Sequence, residues 1–396
     1  YSEKNGQPST YVITGDIDAM WLRDSSAQVN PYIPFCIKDE KLSLMIEGLI
    51  RRHNRCILLD PYANAFYKDE NKVSEWKNDK TEMKRGVHER KYELDSLCYP
   101  IRLAYRYWKA TGNNQPFNTE WLNAMKLAVE TMRAQQRKNN KGPYSFQRNG
   151  GAKTDTLTNN GYGPDVKPVG MICSAFRNSD DACTYLFNIP ENLFAVVVLR
   201  YLAEMVTALH SSEADFSKEC LALADEVEQA VKEHGTITHG KFNKMYVYEC
   251  DGMGNSLLMD DAGIPGLISI PYLGYGTTAD EHYINSRSFA LSPANPYFYK
   301  SEKFEGTGSP HLAWKNADMI WPLGIIMRAL TSTRHEEIKK CLAMLKACHA
   351  GTGFMHEGFN KNNAADFTRH WFAWANTLFG ELILDIYHKN RSLLQQ

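Results

Sequence analysis

Several chemistries are excluded by what the chain does not contain. There is no G-x-S-x-G turn to expose a nucleophilic serine, no G-x-x-x-x-G-K-[ST] loop to cradle phosphates and no H-E-x-x-H helix to hold zinc. Twelve histidines are scattered without ligand spacing and none of the nine cysteines forms a C-x-x-C pair, so neither a metal nor a cofactor is expected. The cysteine number is odd and most lie in apolar helical surroundings, as Cys98 does in "DSLCYPIRL", which reads as buried free thiols rather than a disulfide framework. No run of eighteen uncharged apolar residues occurs, so no membrane span is expected. A formal charge of −1 gives no reason to expect nucleic acid or an acidic membrane as partner. Because the chain starts at Tyr1 without methionine, a signal peptide would lie upstream of it.

What the sequence does contain is apolar residues at helical spacing. Forty-three per cent of its 396 residues are hydrophobic, enough for a large core. Three-and-four periodicity predicts helices over 40–59, 93–111, 119–138, 189–210, 215–235, 311–331, 334–351 and 369–389, with shorter ones near 18–30, 256–270 and 278–291. Segments 189–210 and 369–389 are apolar nearly all round, whereas 215–235 and 334–351 carry one charged face. Enclosed helices alternating with covering ones predict an all-α fold, an (α/α)6 barrel forming one domain over 1–396. No 34- to 47-residue repeat supports a stacked solenoid instead. The connections 60–90, 140–188, 236–255 and 292–310 are long and carry aromatics and isolated charges, so they are read as the walls of a pocket at one end of the barrel. Residues 244–255 alternate as a small hairpin would.

Carboxylates gather in those loops and at helix starts. The stretch "TGDIDAMWLRDSSAQ" sets Asp16, Asp18, Arg23 and Asp24 against Ala19-Met20-Trp21. "FRNSDDACTY" carries Asp180-Asp181, "LMDDAGIPGL" carries Asp260-Asp261, and "HERKYELD" opens on His88 and Glu89. An aspartate at a helix start is ordinarily a cap. Adjacent like charges repel unless compensated, however, and their recurrence in loop-rich regions points to a site. Glu357, in "GTGFMHEGFN", is held among glycine, phenylalanine and methionine, surroundings that penalise its ionised form and suit proton transfer. Carboxyl acid/base chemistry in an aromatic pocket is the equipment for cleaving glycosidic bonds.

"TGDIDAMWLRDSSAQ", "FRNSDDA", "LMDDAGIPGL", "GSPH…MIWPLGIIMRALTS", "GFMHEGFN" and "WFAWANTLFGELI" together resemble glycoside hydrolase family 125, the exo-α-1,6-mannosidases, from about residue 11 to 387. The resemblance implies an inverting, metal-independent enzyme that releases terminal mannose from α-mannoside oligosaccharides, as in N-glycan degradation. It places the general acid in Asp180-Asp181, with Asp180 favoured and Asp181 expected to help keep it protonated by like-charge repulsion. Glu357 becomes the general base, at roughly 6.5–9.5 Å from the acid so that water fits between. Asp16, Trp21, Arg23 and Asp24 become sugar-binding residues, with His88, Glu89, Asp260 and Asp261 as further candidates. Trp371 and Trp374 suit either core or pocket. Asn178 stands where the family has proline, and an asparagine there is expected to turn the chain by side-chain hydrogen bonding. The other readings are a glucoamylase- or trehalase-like hydrolase of the same fold and a non-catalytic glycan-binding protein. A glycan-scavenging role suggests periplasm or cell exterior, with cytoplasm the alternative.

Overall fold

The apolar rows of the sequence close into two concentric layers of helix. The computed structural model describes residues 2–4 and 6–395. Ten α-helices run through these: α1 (Leu22–Val29), α2 (Glu40–Leu59), α3 (Leu94–Thr111), α4 (Thr119–Ala134), α5 (Ile189–Leu209), α6 (Ala214–His234), α7 (Glu281–Ala290), α8 (Pro322–Leu330), α9 (His335–Cys348) and α10 (Ala373–Asn390). In the inner layer α1 packs between α10 and α3, α3 packs on α5, and α8 packs on α10. A single 3-10 turn, Leu267–Ser269, completes it, set against α7 and α8. Outside, α4 covers α2, α6 covers α5 and α9 covers α8. This is the (α/α)6 toroid.

Side-chain pattern accounts for each helix's layer. Every residue of α1 is buried, as is α8 up to Ala329, while α6 and α9 bury one face and send most of their Asp, Glu and Lys outward, the buried Glu337 of α9 excepted. By length and composition α5 is apolar enough to cross a membrane, but it is mostly buried, packed against α3 and α6. Each fully buried Leu, Val or Phe on such a face stabilises the fold by roughly 1.5–3 kcal/mol. Asp39, Asn118 and Asn188 cap α2, α4 and α5, each accepting a backbone N–H of the first turn at 3.0, 3.2 and 3.1 Å. All nine cysteines are buried and free.

Two expected helices are replaced by shorter pieces. The 311–331 segment is a 3-10 turn (Pro310–Lys315), a left-handed Asn316, a strand (Met319–Ile320) and only then α8. The 256–270 segment is a strand (Ser256–Leu257), a loop and the turn at 267–269. Likewise α10 starts at Ala373 rather than 369, where Arg369 has φ +53. The 244–255 hairpin is also divided. Thr236–His239 pairs with Asn243–Tyr246, and Glu249–Cys250 pairs separately with Ser256–Leu257.

Competition from distant backbone explains these departures. Met20–Trp21 and Phe187–Asn188 directly precede α1 and α5, and Met319–Ile320 precedes α8 by one residue. Each joins a three-stranded antiparallel sheet whose other strands come from the long connections: Ala65–Phe66 with Val87–Glu89, Glu249–Cys250 with Ser256–Leu257, and Gly358–Asn360 with Asn363–Thr368. These sheets sit at alternate positions of the inner ring and fasten the long loops over its N-terminal end.

Candidate active site

The starts of the inner helices bring their first residues to one pocket. Trp21, Arg23 and Asp24 enter from α1, Trp321 from the start of α8, and Phe372 and Trp374 from the start of α10. Helix N-termini carry partial positive charge, which favours the carboxylates gathered there. Most of the remaining wall comes from three loops, 176–182 with Asp180, the 310–315 turn with His311, and 355–369 with Glu357 and Arg369, and Thr14, Ile17 and Gly263 complete it. Asp180 and Glu357, remote along the chain, thus face one cavity.

Backbone geometry fixes the Asp180 loop. Phe176 bridges Ala182, the Arg177 N–H donates to the Asp181 carbonyl at 2.7 Å, and Asp180 is left at the tip with φ +66. Only Gly, Asn and Asp adopt that left-handed conformation at modest cost. The Arg177 guanidinium holds the loop's base against Glu249 at 2.5 Å. Asn178 does not turn its own chain, as expected from sequence, but donates across to the Pro265 carbonyl at 2.5 Å. Its amide lies where a Cβ at position 263 would be, 1.7 Å from its oxygen, so Gly263 is required for the two loops to meet. Gly15 has a similar role: a Cβ there would sit 2.8 Å from the Trp371 carbonyl.

Beneath Asp180 lies a buried cluster rich in acids. Arg23 donates to Glu93 at 2.6 Å and lies 3.5 Å from Asp95, 3.4 Å from Asp24 and 3.8 Å from Asp180. Asn64 donates to Glu89, Glu93 and Asp180 at 3.2, 3.3 and 3.2 Å. Lys91 donates to the Asp180 carbonyl at 2.8 Å and to Asp155 at 2.9 Å. Burial pushes Glu93 and Asp24 up, against the pull of Arg23, and raises Asp95 to about 6. On Asp180 burial also acts upward, but Lys91, a hydrogen bond from Glu93 and Arg23 outweigh it and hold this carboxyl below its usual range. The neighbour carrying the raised pKa is therefore Glu93, not, as the sequence suggested, Asp180 under repulsion from Asp181.

Asp181 itself points away from the cavity. Its carboxylate accepts from Ser179 at 3.2 Å and lies 3.5 Å from His311 Nδ1. Burial alone would lower His311, but Asp181, with Glu357 and Asp180 nearby, raises it to about 9, so it is an imidazolium at neutral pH. Arg369 reaches Glu357 at 3.7 Å and is gripped by Asp16 through its Nε at 2.9 Å, its guanidinium resting over Phe372. Asp16 thus orients Arg369 from outside the lining.

Other expected site residues stand behind the wall. His88 is buried against the edges of Trp21 and Tyr67, and Glu89 is paired with Arg148 at 2.9 Å. Asp260 accepts from the Leu267 N–H at 2.7 Å, and Asp261 from Ser309, Ser179 and the Gly263 N–H at 3.0, 3.2 and 3.0 Å. Both shape the 263–267 turn rather than line the pocket. Sequence reasoning missed His311, Arg369, Glu93, Lys91 and Asn64, whose relevance arises only where separate loops meet.

A toroid of paired helices with carboxyls, cations and indoles converging at one end defines a glycoside hydrolase of the (α/α)6 class. Within it the chain belongs to GH125, the metal-independent α-mannosidases, whose family model matches residues 1–384. A Streptococcus pneumoniae metal-independent α-mannosidase, solved in a non-productive complex with α-1,6-mannobiose, is 42% identical, with a TM-score of 0.92 over 96% of this chain and 88% of its own. The meiotically up-regulated gene 157 protein of Schizosaccharomyces pombe is 39% identical over 98% of this chain and 79% of its own length. A bacterial glucoamylase solved with acarbose shares the fold at 11% identity, with a TM-score of 0.58 over 93% of this chain and 48% of that one.

Proposed function

We propose that this α-mannosidase is an inverting exo-enzyme for α-1,6-linked mannose, with Asp180 as general acid and Glu357 as general base. The observation that carries the reading is that these two carboxyls, supplied by separate loops, line a single pocket floored by helix N-termini. Asp180 is preferred to Asp181 because it faces the cavity, whereas Asp181 is engaged by Ser179 and His311. Burial pushes Glu93 up while Lys91 and Arg23 help hold the adjoining Asp180 down, so the two carboxyls titrate as a coupled pair. A mannosyl unit that displaces water from Asp180 weakens its ionised form and so favours the protonated carboxyl that a general acid needs.

In the reaction, Asp180 gives its proton to the glycosidic oxygen as the bond to C1 breaks. Water attacks C1 from the opposite face and passes a proton to Glu357. Arg23 and Asp24 hold the hydroxyls of the terminal sugar, one donating and one accepting, and Trp21 walls the ring. The α-1,6 preference is supported by the mannobiose bound to the S. pneumoniae relative.

Hydrolysis of α-1,6-, α-1,3- and α-1,2-mannobiose, with NMR following the first anomer released, tests the whole reading. Fastest turnover of the α-1,6 disaccharide with β-mannose appearing first is the expected result. First release of α-mannose would overturn inversion, and a preference for glucosides would replace mannose by glucose.

A further inference from the structure

A pocket that closes on one terminal sugar leaves the rest of the substrate outside, and the surface next to its mouth is aromatic. His311, which lines the pocket, belongs to the 3-10 turn Pro310–Lys315. In a 3-10 helix side chains three apart eclipse. Trp314 therefore stands on the same face as His311, one turn further along. It is 68% exposed, the most exposed tryptophan among the described residues. Lys315 lies over its ring at 5.7 Å and is tied to Asp366 at 2.7 Å, which leaves the indole held but largely uncovered.

A second aromatic pair flanks lining residues of the same pocket in sequence. Trp371 sits between Arg369 and Phe372, both lining residues, and Phe354 lies three positions before Glu357. Their rings are 6.4 Å apart, and each is 43% exposed. Ile17, 37% exposed, is itself part of the lining. Single exposed apolar residues need no explanation. Two of the three exposed tryptophans among the described residues lie within three positions of pocket-lining residues, which is a different matter, because a large indole left in water contributes little to packing.

We propose that Trp314 is the platform for the sugar rings on the leaving-group side of the scissile bond, with Phe354 and Trp371 extending that surface. The occupant is the reducing-side portion of an oligomannoside, whose pyranose rings present flat C–H faces to an indole. This rests on the mannosidase reading, since the leaving-group sugars must emerge through the mouth where these rings stand. The enzyme then selects for substrates longer than a single mannosyl unit through contacts outside the catalytic pocket.

The test compares wild type, Trp314→Ala and Trp314→Phe on α-mannosyl fluoride, which has no leaving-group sugar, and on α-1,6-linked mannotriose. In Trp314→Ala the ratio of kcat/KM for mannotriose to that for the fluoride falls about tenfold, mostly through KM, as the loss of one aromatic contact implies. Trp314→Phe restores most of that ratio. An unchanged ratio in Trp314→Ala, with the variant folded by circular dichroism, overturns the platform while leaving the mannosidase reading intact. Wild-type protein that hydrolyses neither substrate overturns the mannosidase reading itself.

Discussion

Two buried clusters of charge in this molecule are built on opposite rules. Between α7, α8 and α9, Glu337 is met by Arg328 at 2.7 Å and Arg287 at 3.2 Å, and Glu305 by Arg328 at 2.9 Å and Lys340 at 2.6 Å. Cations are in excess there, and against the upward pull of burial, hydrogen bonds from Ser332 and Arg328 to Glu337 and from Lys340 and Arg328 to Glu305 hold both glutamates down to about 2. At the pocket floor a single arginine, Arg23, serves Asp24, Glu93, Asp95 and Asp180, and three of those four carboxyls are pushed up. The first cluster is satisfied and structural. The second is short of positive charge, and carboxyls shifted by burial and crowding in a cleft are a mark of proton chemistry.

That contrast is broken most sharply at the reacting groups. Glu357→Gln and Asp180→Asn each lower mannose release by about 10²–10⁴-fold while the thermal transition persists, as read by a mannobiose assay and a melting curve side by side. Next in size, Arg328→Met leaves two buried glutamates short of a partner and costs about 3–5 kcal/mol in urea unfolding, with activity per folded molecule unchanged. Asp95→Asn has the opposite sign. It removes a charge that the fold disfavours and raises stability at pH 7 by about 1–2 kcal/mol, at the expense of activity.

The pH response separates the clusters without mutation. Asp95, raised to about 6, withholds stability at neutral pH and restores it as pH falls from about 6 towards its unfolded value near 4. Glu337 and Glu305, depressed to about 2, contribute fully above about 4.5 and lose that contribution as pH falls through 2. Urea midpoints that rise between pH 7 and 5 and drop below pH 4 are expected. At alkaline pH the responding group is His311, raised to about 9, whose attraction to Asp181 is complete below about 6.5 and lost as pH climbs through 9. His311→Gln should remove that alkaline dependence from the wild-type stability profile.

Much of the scaffold was legible because helix periodicity is local. The expected 40–59 is α2 to the residue, and 119–138, 215–235 and 334–351 match α4, α6 and α9 apart from their ends. What periodicity missed is non-local. The strand residues Met319–Ile320 read as helix in isolation, and only the arrival of Gly358–Asn360 pairs them as strand. The site divides in the same way. Arg23, Asp24, Asp180 and Glu357 sit in conspicuous motifs, but nothing beside His311 or Arg369 in sequence reveals that Asp181 and Asp16 will hold them. Asp260 and Asp261 were conspicuous for another reason, since they anchor a turn that the pocket needs without touching its contents.

The three small sheets over the inner ring bear on how such an enzyme changes. Each fastens a loop at the pocket's end of the barrel through main-chain hydrogen bonds, which are indifferent to the side chains that the loop carries. Replacing a sugar-facing residue therefore leaves the loop's attachment in place, and selectivity can drift while the frame endures. A bacterial glucoamylase that shares the overall fold at 11% identity shows how far sequence can drift around it.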